Sequence, residues 1–232
     1  KEVDTMSIGF SLGPRINAVG RLADSKTALD LMLETSERRA KFLAEQLNSA
    51  NSRRQSQQEQ ATLEALELIP ENLEEQSILL IAAKGWHPGL VGLIAGKIAE
   101  QYGKPTLVCT IKDDGSCRGS ARSVENFNII EAIKSPECND LFTKSGGHPF
   151  AAGFDFPACN IDLLREKLNE FAKKKTGGKG IRGVRTIHID SRVQPGEINE
   201  NLYQSLSKLA PFGNENPEPT FITKNMKVIK TS

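Results

Sequence analysis

Two short segments of the chain combine glycine with side chains that can hold an anion. The first, Arg118 to Ser123, reads RGSARS, and the second, Gly146 to Gly153, reads GGHPFAAG. Arginine presents a planar fork of N–H donors that matches phosphate oxygens. Adjacent glycines let backbone N–H groups converge on an anion, because no Cβ blocks its approach. Both segments therefore indicate phosphate binding.

The first segment is predicted to be a strand with one polar face. Successive side chains of a strand point to opposite faces, so Arg118, Ser120 and Arg122 share a face. Two guanidinium groups and a hydroxyl group on that face could bind phosphate, and an ordinary half-exposed polar strand is the alternative. The small residues at 119, 121 and 123 share the other face, where they predict the close approach of a helix.

The second segment places a histidine directly after two glycines. The imidazole of His148 can donate to a phosphate oxygen, and does so more strongly when it is protonated. The backbone N–H groups of Gly146 and Gly147 would complete such a contact. A glycine turn that precedes a strand is the alternative interpretation, and the small residues at 151–153 predict tight packing or close approach of a ligand.

Two other segments contain candidate anion contacts. The stretch from Gly13 to Leu22 is rich in Gly, Pro and Arg, which argues against an ordinary helix. Its Arg15 and Arg21 could reach a phosphate backbone, or could be surface arginines of a structured turn. The loop at 84–89 lies between a predicted strand and a predicted helix, a favourable place for an anion. Trp86 in this loop either stacks on a base or fills the core.

Composition excludes several classes of protein. The 232 residues are 38% hydrophobic and 25% charged, as in soluble globular proteins, and the net charge is only +1. Any phosphate binding must therefore be local. The four cysteines form no CxxC pair and the three histidines are scattered, which argues against zinc and favours reduced thiols in the cytoplasm. The sequence shows no signal peptide and no apolar run long enough to predict a membrane span.

The order of predicted elements gives an α/β protein. Residues Ser25 to Ile69 are predicted to form one long helix, which a break could interrupt. Strands then alternate with helices up to residue 174, which predicts a mixed sheet with helical cover. The stretch from Lys173 to Gly180 is typical of a linker. Beyond it we expect a strand at 185–190, a helix at 197–209 and a final strand at 220–229.

Five segments occur in the order found in the RecJ family of the DHH phosphoesterase superfamily: 13–22, 85–92, 118–123, 146–153 and 209–219. The chain resembles that family over nearly its whole length. The resemblance implies a C-terminal fragment with a long connecting helix, a mixed-sheet DHH-associated domain and a partial OB-fold-like β region. It implies that residues 1–75 are the end of the DHH domain with the connecting helix. Residues 76–175 would be the DHH-associated domain, and residues 181–232 the truncated start of the OB fold.

The resemblance also implies roles for individual residues. Ser120 and Arg122 would hold the terminal 5′-phosphate of single-stranded DNA, and Arg15 or Arg21 would add to that pocket.

The second motif receives its role from the same resemblance. His148, with the amides of Gly146 and Gly147, would hold a backbone phosphate near the scissile bond.

The family hydrolyses phosphodiester bonds from the 5′ end with two Mn²⁺ or Mg²⁺ ions held by aspartate motifs. This sequence contains no DxD, DHH or HExxH motif. We therefore expect no metal and no catalytic residue in this piece, which is predicted to be inactive alone. The resemblance implies single-stranded DNA with a 5′-phosphate as the substrate. It also implies a role of the exonuclease in DNA repair and recombination. Partnership with a single-strand-binding protein or a helicase stays open, and no membrane is implied.

Three alternatives are also compatible with the sequence. One is a small phosphodiesterase of the DHH superfamily that acts on cyclic dinucleotides or short oligonucleotides. The editing-associated domain of alanyl-tRNA synthetase is another. The third is a non-catalytic nucleic-acid-binding module. The long helix and the continuation beyond residue 175 argue against the small phosphodiesterase.

Overall fold

The structure is a computed structural model that describes residues 3–22, 25–181, 183, 186–213 and 215–227, with the side chains of residues 21 and 22 outside that description. The chain divides into two compact units. The larger unit is Pro14–Val184, and the smaller unit combines Lys1–Gly13 with Arg185–Ser232.

Three helices begin the larger part of the chain: α1 (Gly13–Leu22), α2 (Lys26–Leu33) and α3 (Glu37–Glu67). The long predicted helix is thus broken at 34–36. The carboxylate of Glu34 accepts hydrogen bonds from the backbone N–H groups of Thr35 and Ser36, at 3.0 and 2.9 Å. Such local bonds compete with helical ones, which explains the break. The remaining α3 has 31 residues, a length of about 46 Å.

The composition of the segment Gly13–Leu22 argued against a helix, but this segment is helical. Pro14 is the second residue of α1, and its ring fixes φ close to the helical value. The helix is held by packing, since Val19 is buried with Ala28 of α2 and Leu47 of α3. Tertiary contacts therefore outweigh the low helix propensity of glycine and proline.

A five-stranded mixed sheet forms the centre of the larger unit, as predicted. Its strands are β1 (Leu79–Lys84), β2 (Thr106–Ile111), β3 (Ser116–Arg122), β4 (Lys144–His148) and β5 (Ala151–Pro157). They lie in the order β1-β2-β3-β5-β4. Strands β1 and β2 are parallel, and the other neighbours are antiparallel. The chain thus places β5 between the two strands that carry the predicted motifs.

Helices cover the two faces of the sheet unequally. Helix α4 (Val91–Tyr102) packs over β2 and β3 on one face, next to the C-terminal part of α3. Helices α5 (Ile129–Ile133) and α6 (Ile161–Lys175) cover the other face. On the α4 face, β4 and β5 lie beyond the helix, and Gly146, His148 and Gly153 are exposed there. This leaves an open shelf beside α4.

A buried asparagine joins α6 to the segment that enters β1. The Oδ1 atom of Asn169 accepts hydrogen bonds from the backbone N–H groups of Ser77 and Ile78, at 2.6 and 3.0 Å. Its Nδ2 atom donates to the carbonyl oxygen of Ile78 at 3.0 Å. One side chain thus satisfies three backbone groups at a place where the sheet offers them no partner strand.

Replacing Asn169 by alanine is expected to lower the free energy of unfolding by about 2 kcal/mol, because buried backbone groups would lose their partners. Urea unfolding followed by circular dichroism measures this change. Lys173→Ala on the exposed side of the same helix is the control, with an expected change below about 0.5 kcal/mol. Equal values for the two variants would contradict the assigned role of Asn169.

The smaller unit contains less regular structure than predicted. It has a π-helical turn at Ser7–Leu12, the helix α7 (Glu200–Ser207), and a short parallel pair, β6 (Ser191–Arg192) and β7 (Phe221–Ile222). Residues 186–190 form no strand, and residues 185 and 228–229 of the predicted strands lie outside the described residues. Exposed side chains such as Ile187 gain little from pairing, and a two-stranded ribbon is marginal in water.

Candidate nucleic-acid interface

Strand register brings Arg122 and His148 onto one face of the sheet. Both residues pair directly with Ala151 of β5, one from each side. Directly paired residues of antiparallel strands point to the same face. The two Cα positions are therefore two strand spacings apart, about 10 Å. We call these three residues the histidine row.

A second row lies two residues along the same strands. Ser120 and Gly146 both pair with Gly153 of β5. The hydroxyl group of Ser120 therefore faces the same side as the histidine row. Neither glycine carries a side chain, so the shelf is bare backbone between the serine and the edge of the sheet. We call these three residues the glycine row.

Helix α4 closes one side of the site, and hydrogen bonds orient Arg122 of β3. The Nη1 atom of Arg122 donates to Ser120 Oγ and to the carbonyl oxygen of Ala121, both at 2.8 Å, and Ser120 Oγ lies 3.3 Å from the carbonyl oxygen of Ala152. A Cβ on Gly92 of α4 would lie 3.0 Å from Arg122 Nη2 and 3.1 Å from Ser120 Oγ. The small residue on the helix thus allows a half-buried, oriented guanidinium group.

The predicted close approach of a helix on the opposite face of β3 was wrong for Gly119. A Cβ at this position would collide with the ring of Phe154 and would lie 2.6 Å from the carbonyl oxygen of Val108. An aromatic side chain of the neighbouring strand, and not a helix, uses the space. The helix that approaches closely does so on the Ser120 face, through Gly92.

The two glycines before His148 have different physical roles. A Cβ on Gly147 would collide with the carbonyl oxygen of Ala151 and would lie 2.5 Å from the Cα of Ala152. Its φ of +154° is also rare for residues with a side chain. A Cβ on Gly146 would meet nothing within 4 Å. Gly147 is therefore required by the hairpin, whereas Gly146 keeps the shelf open.

Arg15 and Arg21 belong to the helical start of the larger unit. The Nε atom of Arg15 donates to Asn48 Oδ1 of α3 at 2.5 Å. Asn48 precedes Glu64, a neighbour of the sheet, by about 24 Å along the helix axis. The structure brings together the five predicted residues of the sheet and ties Arg15 to α3. The backbone of Arg21 lies in α1, and its side chain is outside the described residues.

Trp86 fills the core between α3 and α4. Its side chain is buried, and its indole Nε1 donates to Glu64 Oε2 at 2.8 Å. This favours the structural alternative over base stacking. The surrounding loop borders a groove of about 550 Å³ that also contains Lys84 and His87. The Nδ1 atom of His87 accepts a hydrogen bond from the backbone N–H group of Gly89, at 3.1 Å.

The Trp86 contact predicts a pH dependence of stability. The indole N–H group, and then the amide of Gln60, hold the pKa of Glu64 below its ordinary value of 4.5. A carboxyl group with a lowered pKa stabilises the fold when it is ionised. This contribution is present above pH 4.5 and is lost as the pH falls through the lowered pKa. We expect the stability difference between the wild type and Glu64→Gln to be constant above pH 4.5 and to shrink below it.

Urea unfolding followed by the fluorescence of the single tryptophan measures this difference at each pH. Glu67→Gln, at the end of the same helix, is the matched control. A difference that does not change with pH would contradict the role of the Glu64 carboxylate.

Lys144 is a residue of this face that the sequence motifs do not predict. It lies on the same face as Gly146 and His148, two residues before the first glycine. The spacing Lys144-x-Gly146-x-His148 matches that of Arg118-x-Ser120-x-Arg122. This repeated alternation could have revealed it.

The described part of the chain does not fit a divalent metal. Among those residues, no three His, Cys, Asp or Glu side chains lie close enough to hold an ion. The four cysteines are free thiols, three of them buried. None of the described helices is both long and apolar enough to cross a membrane.

Two family models match this chain, one within each of its two compact units. The DHHA1 domain matches residues 75–174, and the RecJ OB domain matches residues 189–232. The single-stranded-DNA-specific exonuclease RecJ of Bacillus subtilis is 32% identical over 225 residues, which are 97% of this chain and 28% of that protein. RecJ of Thermus thermophilus in complex with Mn²⁺ superposes with a TM-score of 0.82 at 27% identity, over 95% of this chain and 32% of that one. Its complex with Mg²⁺ gives a TM-score of 0.81.

The fold and the two domain matches thus define a protein with a DHHA1 domain followed by a short OB-like region. The chain belongs to the RecJ family, which confirms the predicted resemblance and the mixed α/β fold with a long helix. It spans about a third of the length of the relatives it matches. The OB match also extends the resemblance beyond residue 175, where small phosphodiesterases were expected to differ.

Proposed function

We propose that this chain is the substrate-binding portion of a 5′→3′ single-strand DNA exonuclease used in DNA repair and recombination. The observation that carries the proposal is the register that places Arg122 and His148 on either side of Ala151, with Ser120 two residues away on the same face. Such a group of two cation-forming side chains and a hydroxyl group suits phosphate. The relatives named above are single-strand-specific exonucleases, in agreement with this assignment.

The terminal 5′-phosphate binds at Ser120 and Arg122. The guanidinium fork is held by its bonds to Ser120 Oγ and the carbonyl oxygen of Ala121, so little rotational freedom is lost when it binds. The guanidinium N–H groups and the serine hydroxyl group would exchange part of their present contacts for contacts with phosphate oxygens. A terminal phosphate carries more negative charge than an internal one, which makes this pocket selective for a phosphorylated end.

An internal phosphate binds at His148 with the amides of Gly146 and Gly147. The imidazole is exposed at the edge of the sheet, and Gly146 leaves its backbone accessible. Arg15 and Arg21 stay predictions for the 5′-phosphate pocket. For Arg15, the contact with Asn48 supports a structural role in addition.

Hydrolysis belongs to the parent protein. Relatives of this chain bind Mn²⁺ and Mg²⁺ in their structures, whereas the described residues here offer no metal-binding cluster. We propose that residues 1–75 join a DHH domain to the sheet, that residues 76–175 bind DNA, and that residues 181–232 begin an OB fold. The chain alone would be inactive, and the parent protein would work in the cytoplasm. Release of nucleotides by the pure chain with Mn²⁺ would contradict this part of the proposal.

Binding of a single-stranded oligonucleotide with and without a 5′-phosphate tests the function. We expect the phosphorylated strand to bind about tenfold more tightly at low salt, because charge-assisted hydrogen bonds contribute about 1.5 kcal/mol or more. Fluorescence anisotropy of a strand labelled at its 3′ end measures both affinities over a salt titration. Equal affinities at every salt concentration would overturn the proposal.

A further inference from the structure

A third row of charged residues continues the two rows of the shelf. Arg118 and Lys144 both pair with Asp155 of β5, one from each side. Like the rows before it, this one lies two residues further along the strands, so its side chains point to the same open face. Each step of two residues is about 7 Å, and the three rows together span about 14 Å. We call this the acidic-centred row.

A groove lies between the acidic-centred row and the glycine row. Its volume is about 370 Å³, and Arg118, Lys144, Gly146, Gly153 and Asp155 contribute to its walls and floor. A Cβ added to either glycine would meet nothing within 4 Å, so the floor is open backbone. A bulky, hydrated group can therefore approach the sheet closely here.

The charges around the groove suit an anion. Two cations flank one carboxylate, which leaves a net positive charge. The Nε atom of Arg118 lies 3.8 Å from Asp155 Oδ1, and the arginine side chain is 60% exposed. An exposed ion pair with such a separation contributes little stability. The guanidinium group can therefore turn to a phosphate oxygen at small cost, and the exposed Lys144 can approach from the opposite wall.

We propose that this groove binds an internucleotide phosphate of the strand whose 5′ end lies at Ser120 and Arg122. The inference rests on the proposed function and extends it, because it gives the strand a direction along β3 and β4, from the histidine row towards the acidic-centred row. The contacts are to phosphate alone. Binding at the groove is therefore independent of base sequence and requires a strand long enough to cross the shelf.

The test is the salt dependence of oligonucleotide binding by the double variant Arg118→Gln, Lys144→Gln. For single strands, each phosphate contact contributes about 0.7 to the slope of log K against log salt. We expect the slope for a 5′-phosphorylated oligo(dT) to fall by about 0.7, the share of one phosphate, while competition by a 5′-phosphorylated dinucleotide stays unchanged. The matched control is Lys134→Gln, Lys173→Gln, which removes the same charge from the residue that follows α5 and from α6, on the other face.

A second variant tests the groove without removing charge. Gly153→Val fills the floor of the groove, where a Cβ meets no neighbour, so the fold should be retained. We expect several-fold weaker binding of the oligonucleotide with an unchanged unfolding midpoint. Unchanged binding by this variant would overturn the inference.

The outcomes separate the inference from the proposed function. If the double variant lowers the slope no more than its control does, while Arg122→Ala still abolishes the preference for a 5′-phosphate, the groove is not a phosphate site and the proposed function stands. If wild type shows no such preference, the proposed function fails and the inference fails with it. A lower slope in the groove variant alone supports the inference.

Discussion

Replacing Arg122 by alanine is expected to abolish the preference of this chain for a 5′-phosphorylated strand. The side chain is half-buried beneath α4 and already oriented by Ser120 Oγ, so its interaction with a phosphate should account for the whole preference. Loss of about 1.5 kcal/mol corresponds to roughly tenfold weaker binding of the phosphorylated strand. Anisotropy with labelled strands that differ only in the 5′-phosphate measures the change.

Arg122→Lys is the matched variant for this prediction. Lysine keeps the charge but lacks the planar fork, so we expect it to recover only part of the preference. If alanine weakened phosphorylated and unphosphorylated strands equally, the arginine would act as a general cation and not as a terminal-phosphate contact. The unfolding midpoint should change little in both variants, which excludes loss of structure as the cause.

Replacing Gly147 by alanine is expected to have the largest effect on stability. Its Cβ would overlap the carbonyl oxygen of Ala151 and would lie 2.5 Å from the Cα of Ala152, so backbone and not a flexible side chain would have to move. We expect a loss of about 3 kcal/mol in the free energy of unfolding. Urea unfolding followed by circular dichroism measures it.

The neighbouring Gly146 is the control for this variant. A Cβ there meets nothing within 4 Å. The free energy of unfolding of Gly146→Ala should therefore differ from that of the wild type by no more than about 1 kcal/mol. Because Gly146 faces the shelf, the same variant should nevertheless weaken oligonucleotide binding. Similar stabilities of the two alanine variants would contradict the assigned difference between the glycines.

The strand that carries the arginines shows how far sequence reasoning reached. Alternation along the strand predicted that Arg118, Ser120 and Arg122 share a face, and the pairing of β3 agrees. The same reasoning misassigned the neighbour of Gly119. Which group fills the space above a small residue depends on a strand far away in the chain, here the one that carries Phe154.

The helical region shows a similar limit. Hydrophobic spacing predicted helices from residue 25 onwards, but the position of the break depends on the carboxylate of Glu34 and its two backbone bonds. The helical state of Gly13–Leu22 depends on Val19, which packs against two other helices. Such tertiary contacts are not visible in local propensity.

Residue types and their spacing along single strands thus determined which groups are available for phosphate: a fork of donors, a hydroxyl group, an imidazole and bare backbone. Local chemistry is sufficient for this, because a side chain brings its donors wherever it lies. Only the tertiary structure decided that these groups meet, since β5 lies between β3 and β4 and sets the register of both. It also decided that α4 covers β2 and β3 and leaves the shelf open, because helix packing depends on Gly92 and on side chains from separate parts of the chain.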